Sequence, residues 1–160
     1  MPQTTTYLLT RRQVMAAGGA AAIVASLATL TIGKAAWAGR QEMKARMEEI
    51  TGGAKPKKGR ISITVPAYTE YAKQVHTKVE VDSPMTEADH VKTLYLLGER
   101  NTVPDIATYR FTPASGRAVI STRIRVAQTQ IITAVAEMKD GSLWIGKARC
   151  RVAAGAGGCG

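Results

Sequence analysis

A chain of 160 residues with a net charge of +10 but only 5% aromatics is basic, yet it lacks the stacking side chains that single-stranded nucleic-acid binding uses. Two histidines and two cysteines in the whole chain leave too few soft ligands for a metal site, so neither a metal nor another cofactor is expected. The charge is better matched to an anionic substrate or an acidic partner surface.

The first element is an address. Arg11 and Arg12 stand directly ahead of an apolar, Ala- and Gly-rich run, Ala16 to Ile32, followed by Lys34 and the small-x-small triplet Ala36-Trp37-Ala38. This layout predicts a twin-arginine export signal over residues 1–38, cleaved after Ala38, that delivers a folded protein to the periplasm. A retained anchor is the lesser reading, because the apolar run is at the short limit for a span. The segment holds three basic residues and no acids, so a mature chain carries +7.

Residues 39–59 are expected to form a short helix and a connector. Met43, Met47 and Ile50 recur at helical spacing within Gln41–Thr51, and Gly52-Gly53 ends the run. Pro56 and the dense basic cluster Lys55, Lys57, Lys58 and Arg60 read as a linker. Residues 60–152 then alternate in short β-branched runs: 60–65, 75–82, 92–97, 107–111, 118–126, 130–138 and 143–152. Turn-rich separators divide them, and Asp140-Gly141 marks a hairpin. About seven such strands predict a mostly β, immunoglobulin-like antiparallel sandwich, without the two core cysteines around a tryptophan that mark antibody domains. Trp144, in the last strand, reads as a packing residue.

Residues 153–160 predict a flexible arm. Glycine is costly to order, and Ala154 to Gly160 offers little apolar surface in return. Fully extended, the arm reaches about 26–29 Å; as a Gly-rich coil it spans nearer ~15 Å. It carries a thiol, Cys159, next to the terminus. The second thiol, Cys150, alternates with Lys147, Arg149 and Arg151, which places it on the core side of a half-buried strand. A Cys150–Cys159 disulfide is the competing reading in an oxidising compartment.

No catalytic constellation accompanies these thiols. His76 falls on the polar side of a strand. His90 lies beside Glu87 and Asp89, which read as loop-solvating or turn-capping acids. No Gly-rich loop precedes a helix, and no Ser-His-Asp or Cys-His set is evident. The terminal carboxylate opposes a thiolate at Cys159, and Arg151 is too far along the tether to be fixed against it. Activation inside a partner is the logic of a carrier, not an enzyme.

The chain resembles the SoxY family, the sulfur-carrier subunits of the bacterial thiosulfate-oxidising (Sox) multienzyme system. The likeness rests on the twin-arginine signal, VDSPMTEADHVK at Val81–Lys92, FTPASGRA at Phe111–Ala118, STRIRVAQTQ at Ser121–Gln130, AVAEMKDGSLW at Ala134–Trp144 and the terminal GGCG at Gly157–Gly160. It implies an immunoglobulin-like sandwich paired with a SoxZ subunit. It also implies covalent attachment of substrate at Cys159, on a swinging arm that includes Gly155, Gly157, Gly158 and Gly160. The implied transient partners are the SoxAX cytochrome, which oxidatively joins thiosulfate to the thiol, the SoxB hydrolase, which releases sulfate, and a sulfur dehydrogenase. Two departures stand out: one terminal glycine, Gly160, where two are common, and the additional Cys150. The alternatives are a thiol–disulfide redox protein using Cys150 and Cys159, and a sandwich interaction module with an incidental tail. A thiocarboxylate carrier is disfavoured, because Cys159 interrupts the Gly-Gly ending that chemistry needs.

Overall fold

The computed structural model describes residues 31–154, with side chains from residue 39. The chain divides into two compact units, Met1–Trp37 and Ala38–Gly160, and the sandwich lies wholly in the second. Among the described residues, no helix is long and apolar enough to cross a membrane.

The helix, α1, spans Thr31–Thr51 and so is already formed ten residues before the expected Gln41. Ala35, Ala36 and Ala38 are strong helix formers and no proline intervenes, so nothing in the sequence stops the helix at residue 41. It runs without a break through Ala38, the expected cleavage residue. Gly52 (φ 59°) and Gly53 (φ 81°) end it in the left-handed region. Met43, Met47 and Ile50 form its half-buried stripe as expected, and Arg46 joins them. The Arg46 Nε donates to Asp105 Oδ2 at 2.7 Å, and its guanidinium carbon lies 5.9 Å from the Tyr95 ring centroid.

Among the described residues nine strands follow: β1 (Lys57–Lys58), β2 (Ile61–Thr64), β3 (Tyr68–Thr69), β4 (Val75–Val81), β5 (Val91–Gly98), β6 (Asp105–Arg110), β7 (Val119–Ile124), β8 (Gln130–Met138) and β9 (Leu143–Val152). One sheet has the order β1-β9-β8-β5-β6, with β3 also pairing β9; the other has the order β2-β4-β7. All seven expected strands are present, and the fold is the immunoglobulin-like sandwich. The two additions, β1 and β3, are two-residue segments, too short to show a period. Both run parallel to β9, while the longer ladders are antiparallel. The Lys57–Lys58 pair is therefore a strand against Trp144 and Ile145, not part of a free linker. Its backbone is held by the ladder although both side chains face solvent.

The segment from Lys57 to Thr69 switches sheets. It pairs with the start of β9, leaves to form β2 against β4, and returns to the end of β9 as β3. Gly146 marks the crossing: a Cβ there would sit 2.8 Å from Ile61 Cγ2 and 3.1 Å from the Ile61 carbonyl oxygen. Between the sheets lies the core, with Val75, Val79 and Val81 of β4, Leu94 and Leu96 of β5, Ile120 and Ile124 of β7, Ile132 of β8 and Cys150 of β9 all buried. The period-2 pattern of β4 is fully realised, its valines inward and His76 and Lys78 outward. At the β8–β9 hairpin, Gly141 (φ 78°) donates to the Met138 carbonyl at 3.0 Å, and Met138 donates to Ser142 at 2.9 Å. This is the turn that Asp140-Gly141 predicts.

Candidate functional site at the root of the C-terminal arm

The site is built from the end of β9 outward. Alternation along β9 puts Ala148, Cys150 and Val152 inward and Lys147, Arg149 and Arg151 into solvent. Cys150 is fully buried and its register partner is Gln130. Its thiol makes only a weak contact to the Arg151 carbonyl, at 3.9 Å. Burial pushes its pKa up, because a thiolate would lose its hydration without gaining a counter-charge. Cys150 is thus a core hydrophobe, as its position in the alternation predicts.

Beyond Cys150 the strand end is held from both sides. On one side, Arg151 donates its amide to the Ala67 carbonyl at 3.0 Å and Ala153 donates to Thr69 at 2.9 Å. On the other, the Val152 amide donates to Thr129 Oγ1 at 2.9 Å. Thr129 is itself positioned by a polar network. Gln130, 2% exposed, accepts from the Arg100 amide at 2.8 Å and donates to Asn101 Oδ1 at 2.7 Å. Asn101 also accepts from the Ala127 amide and donates to the Arg125 carbonyl. Every polar atom of the two amide side chains is used, so the 125–130 loop is tied to the turn after β5.

The segment after β3 is braced as well. Val126 donates to the Ala72 carbonyl at 2.8 Å and Gln74 to Tyr71 at 3.1 Å. Residues 70–74 line a cleft of about 520 Å³. Tyr68 and Tyr71 are exposed at 57% and 78%, and Tyr68 lies beside Arg151 near the end of β9. Sequence reasoning passed over Tyr68, Thr69, Tyr71 and Thr129, because none lies in a periodic run. The one signal available was that Thr129 falls within the STRIRVAQTQ segment.

The expected export arginines, Arg11 and Arg12, lie outside the described residues, as do Cys159, Gly155, Gly157, Gly158 and Gly160. The two histidines are not brought together. His76 is exposed on β4, with Nε2 3.2 Å from Ser121 Oγ. His90 is 7% exposed, with Nδ1 2.9 Å from the Thr86 carbonyl. Among the described residues no three His, Cys, Asp or Glu side chains cluster as a metal site would require. Part of the dense basic cluster is engaged at the far end of β9: Arg60 and Lys57 lie 5.1 and 5.9 Å from the Trp144 ring, and Arg60 pairs with Asp89 at 3.3 Å.

Residues 47–159 match the family described as sulfur oxidation protein SoxY. Among solved structures, the sulfur carrier protein SoxY from Chlorobium limicola f thiosulfatophilum aligns with a TM-score of 0.59 at 18% identity, over 72% of this chain and 99% of that one. A superoxide reductase (neelaredoxin) from Ignicoccus hospitalis aligns with a TM-score of 0.52 at 15% identity, over 59% and 81%. At such identities the structural likeness shows the sandwich fold alone. No curated protein matches the chain.

Proposed function

Because the chain belongs to the SoxY family of sulfur oxidation proteins, we propose that it is a periplasmic carrier that holds sulfur intermediates covalently on Cys159. The observation that carries this reading is the full burial of Cys150. Of the two cysteines in the chain, one is locked in the core, which leaves the thiol on the Gly-rich tail to do the chemistry. The held strand end supports it further, since a tether that hunts for partner sites works best from a fixed pivot.

The chemistry balances simply. The thiol of Cys159 and thiosulfate join through a new S–S bond, releasing one proton and two electrons to the SoxAX cytochrome. Water then attacks the terminal sulfonate in the SoxB hydrolase, giving sulfate, a proton and a persulfide on Cys159. A sulfur dehydrogenase acts on that remaining sulfane sulfur. Gly155, Gly157, Gly158 and Gly160 keep the arm narrow enough for such sites, and the chain itself supplies no turnover. SoxZ is the expected stable partner. Arg11 and Arg12 direct export of the folded chain, and cleavage after Ala38 leaves a basic mature protein. The redox alternative needs Cys150 to meet Cys159, and the core position of Cys150 opposes it.

Mass spectrometry after incubation with thiosulfate and the oxidising cytochrome tests the assignment. A thiosulfonate adduct on Cys159, lost in Cys159→Ser, is expected. Full pathway activity in Cys159→Ser would overturn it, and a mass two hydrogens lower with both thiols blocked would favour the redox reading.

A further inference from the structure

The surface around the arm's exit carries more than a pivot. Lys147, Arg149 and Arg151 form a single-sign stripe on the outer face of β9, spaced about 7 Å apart as alternate strand residues are. That spacing is within a Debye length of about 8 Å at physiological salt, so the three repel one another. Their neighbours offer no relief: Arg149 faces Ile131 and Lys147 faces Thr133 across the ladder. No described carboxylate pairs with any of the three.

Beside the stripe, Arg151 is in register with Tyr68, so the two side chains share a face. Of the three exposed large hydrophobics among the described residues, two, Tyr68 and Tyr71, sit on this short stretch. Its backbone is braced by the Ala153–Thr69 and Val126–Ala72 hydrogen bonds. Rigid exposed tyrosines next to arginines match the composition of protein–protein interface anchors. Lys73 adds a further cation to the adjoining cleft, and Glu70 is its one acid.

We propose that this basic and aromatic patch beside the end of β9 is a docking collar for an acidic protein surface that rims the site receiving Cys159. Tyr68 and Tyr71 anchor it, and Lys147, Arg149 and Arg151 steer it. The inference rests on the carrier reading above and deepens it: the partner is recognised at the root of the arm while the thiol enters its channel. A second copy of this chain is a poor occupant, because it would set like charges against each other.

The test uses the mature chain, paired with its SoxZ subunit and carrying the thiosulfonate on Cys159, as substrate of the sulfate-releasing hydrolase. Assays are run at roughly 10 mM salt, where screening extends ~30 Å, and at 1 M, where it extends ~3 Å. The triple variant Lys147→Gln, Arg149→Gln, Arg151→Gln is expected to raise KM about tenfold at low salt with kcat unchanged, and to match wild type at high salt. Tyr71→Ala should raise KM at both salts. Arg123→Gln, exposed on the other sheet, should change neither constant. A triple variant with wild-type KM at low salt overturns the collar, as does one whose only change is in self-association by light scattering. A wild-type chain that takes up no adduct on Cys159 overturns the carrier reading and the collar together. Normal loading with a salt-independent KM overturns the collar alone.

Discussion

The Val152 amide and the Thr129 hydroxyl are 2.9 Å apart, and the same hydroxyl lies 3.4 Å from the Val152 carbonyl. One side chain from the β7–β8 connection thus serves both backbone groups of the last strand residue, on the side opposite the one where Arg151 and Ala153 donate to Ala67 and Thr69. The strand end is fixed by loops distant in sequence, immediately before the tail begins.

Removing that hydroxyl should loosen the pivot and little else. Thr129→Val keeps the side-chain volume and is expected to cost about 1 kcal/mol, the net worth of an ordinary hydrogen bond. Amide hydrogen exchange at Val152 should accelerate while the β5–β8 amides keep their protection. Unchanged protection at Val152 would show that the hydroxyl does not hold the strand end.

Cys150 gives a pH-dependent signature. Its pKa is raised above the ordinary 9.0 by burial, so the folded state keeps a proton that the unfolded chain releases. The contribution to stability is complete below pH 9 and declines as pH rises from there toward the raised value. Cys150→Ala should lower stability at neutral pH by roughly 1 kcal/mol through the lost packing and should flatten this alkaline decline. Urea midpoints measured from pH 7 to pH 10.5 check both parts. Equal alkaline slopes in wild type and variant would place the thiol in water.

Gly146 tests the sheet-switching path. In Gly146→Ala the new methyl meets Ile61 Cγ2 at 2.8 Å and the Ile61 carbonyl at 3.1 Å, an overpacking expected to cost about 1–3 kcal/mol. Shortening the neighbour in Gly146→Ala with Ile61→Ala should recover only part of it, because the carbonyl contact is backbone. Urea unfolding of the two variants measures this, and a neutral single variant would exclude the close crossing of β2 over β9.

Local chemistry made the sandwich strands legible. Where one face is buried, Val75, Val79 and Val81 must alternate with polar residues, and that alternation is visible in any window of the sequence. The same rule placed Cys150 inward, and the turn preference of Asp140-Gly141 marked the β8–β9 hairpin. The turns of α1 upstream of Gln41 were not legible, because Ala35, Ala36 and Ala38 favour a helix without setting an apolar period. Neither were β1 and β3, whose two residues each are strands only because β9 lies beside them.

The thiol at Cys159 and its glycine-rich tether were likewise written in the sequence, along with the basic alternation of Lys147, Arg149 and Arg151. Only the tertiary structure decided what surrounds the place where that tether begins. Thr129, Thr69 and Tyr71 belong to segments 23 or more residues upstream of Val152, and they meet the strand end because the sheets bring them there. Alternation is a property of neighbouring residues, so sequence carries it; a collar assembled from separate loops is a property of topology, which no local pattern encodes.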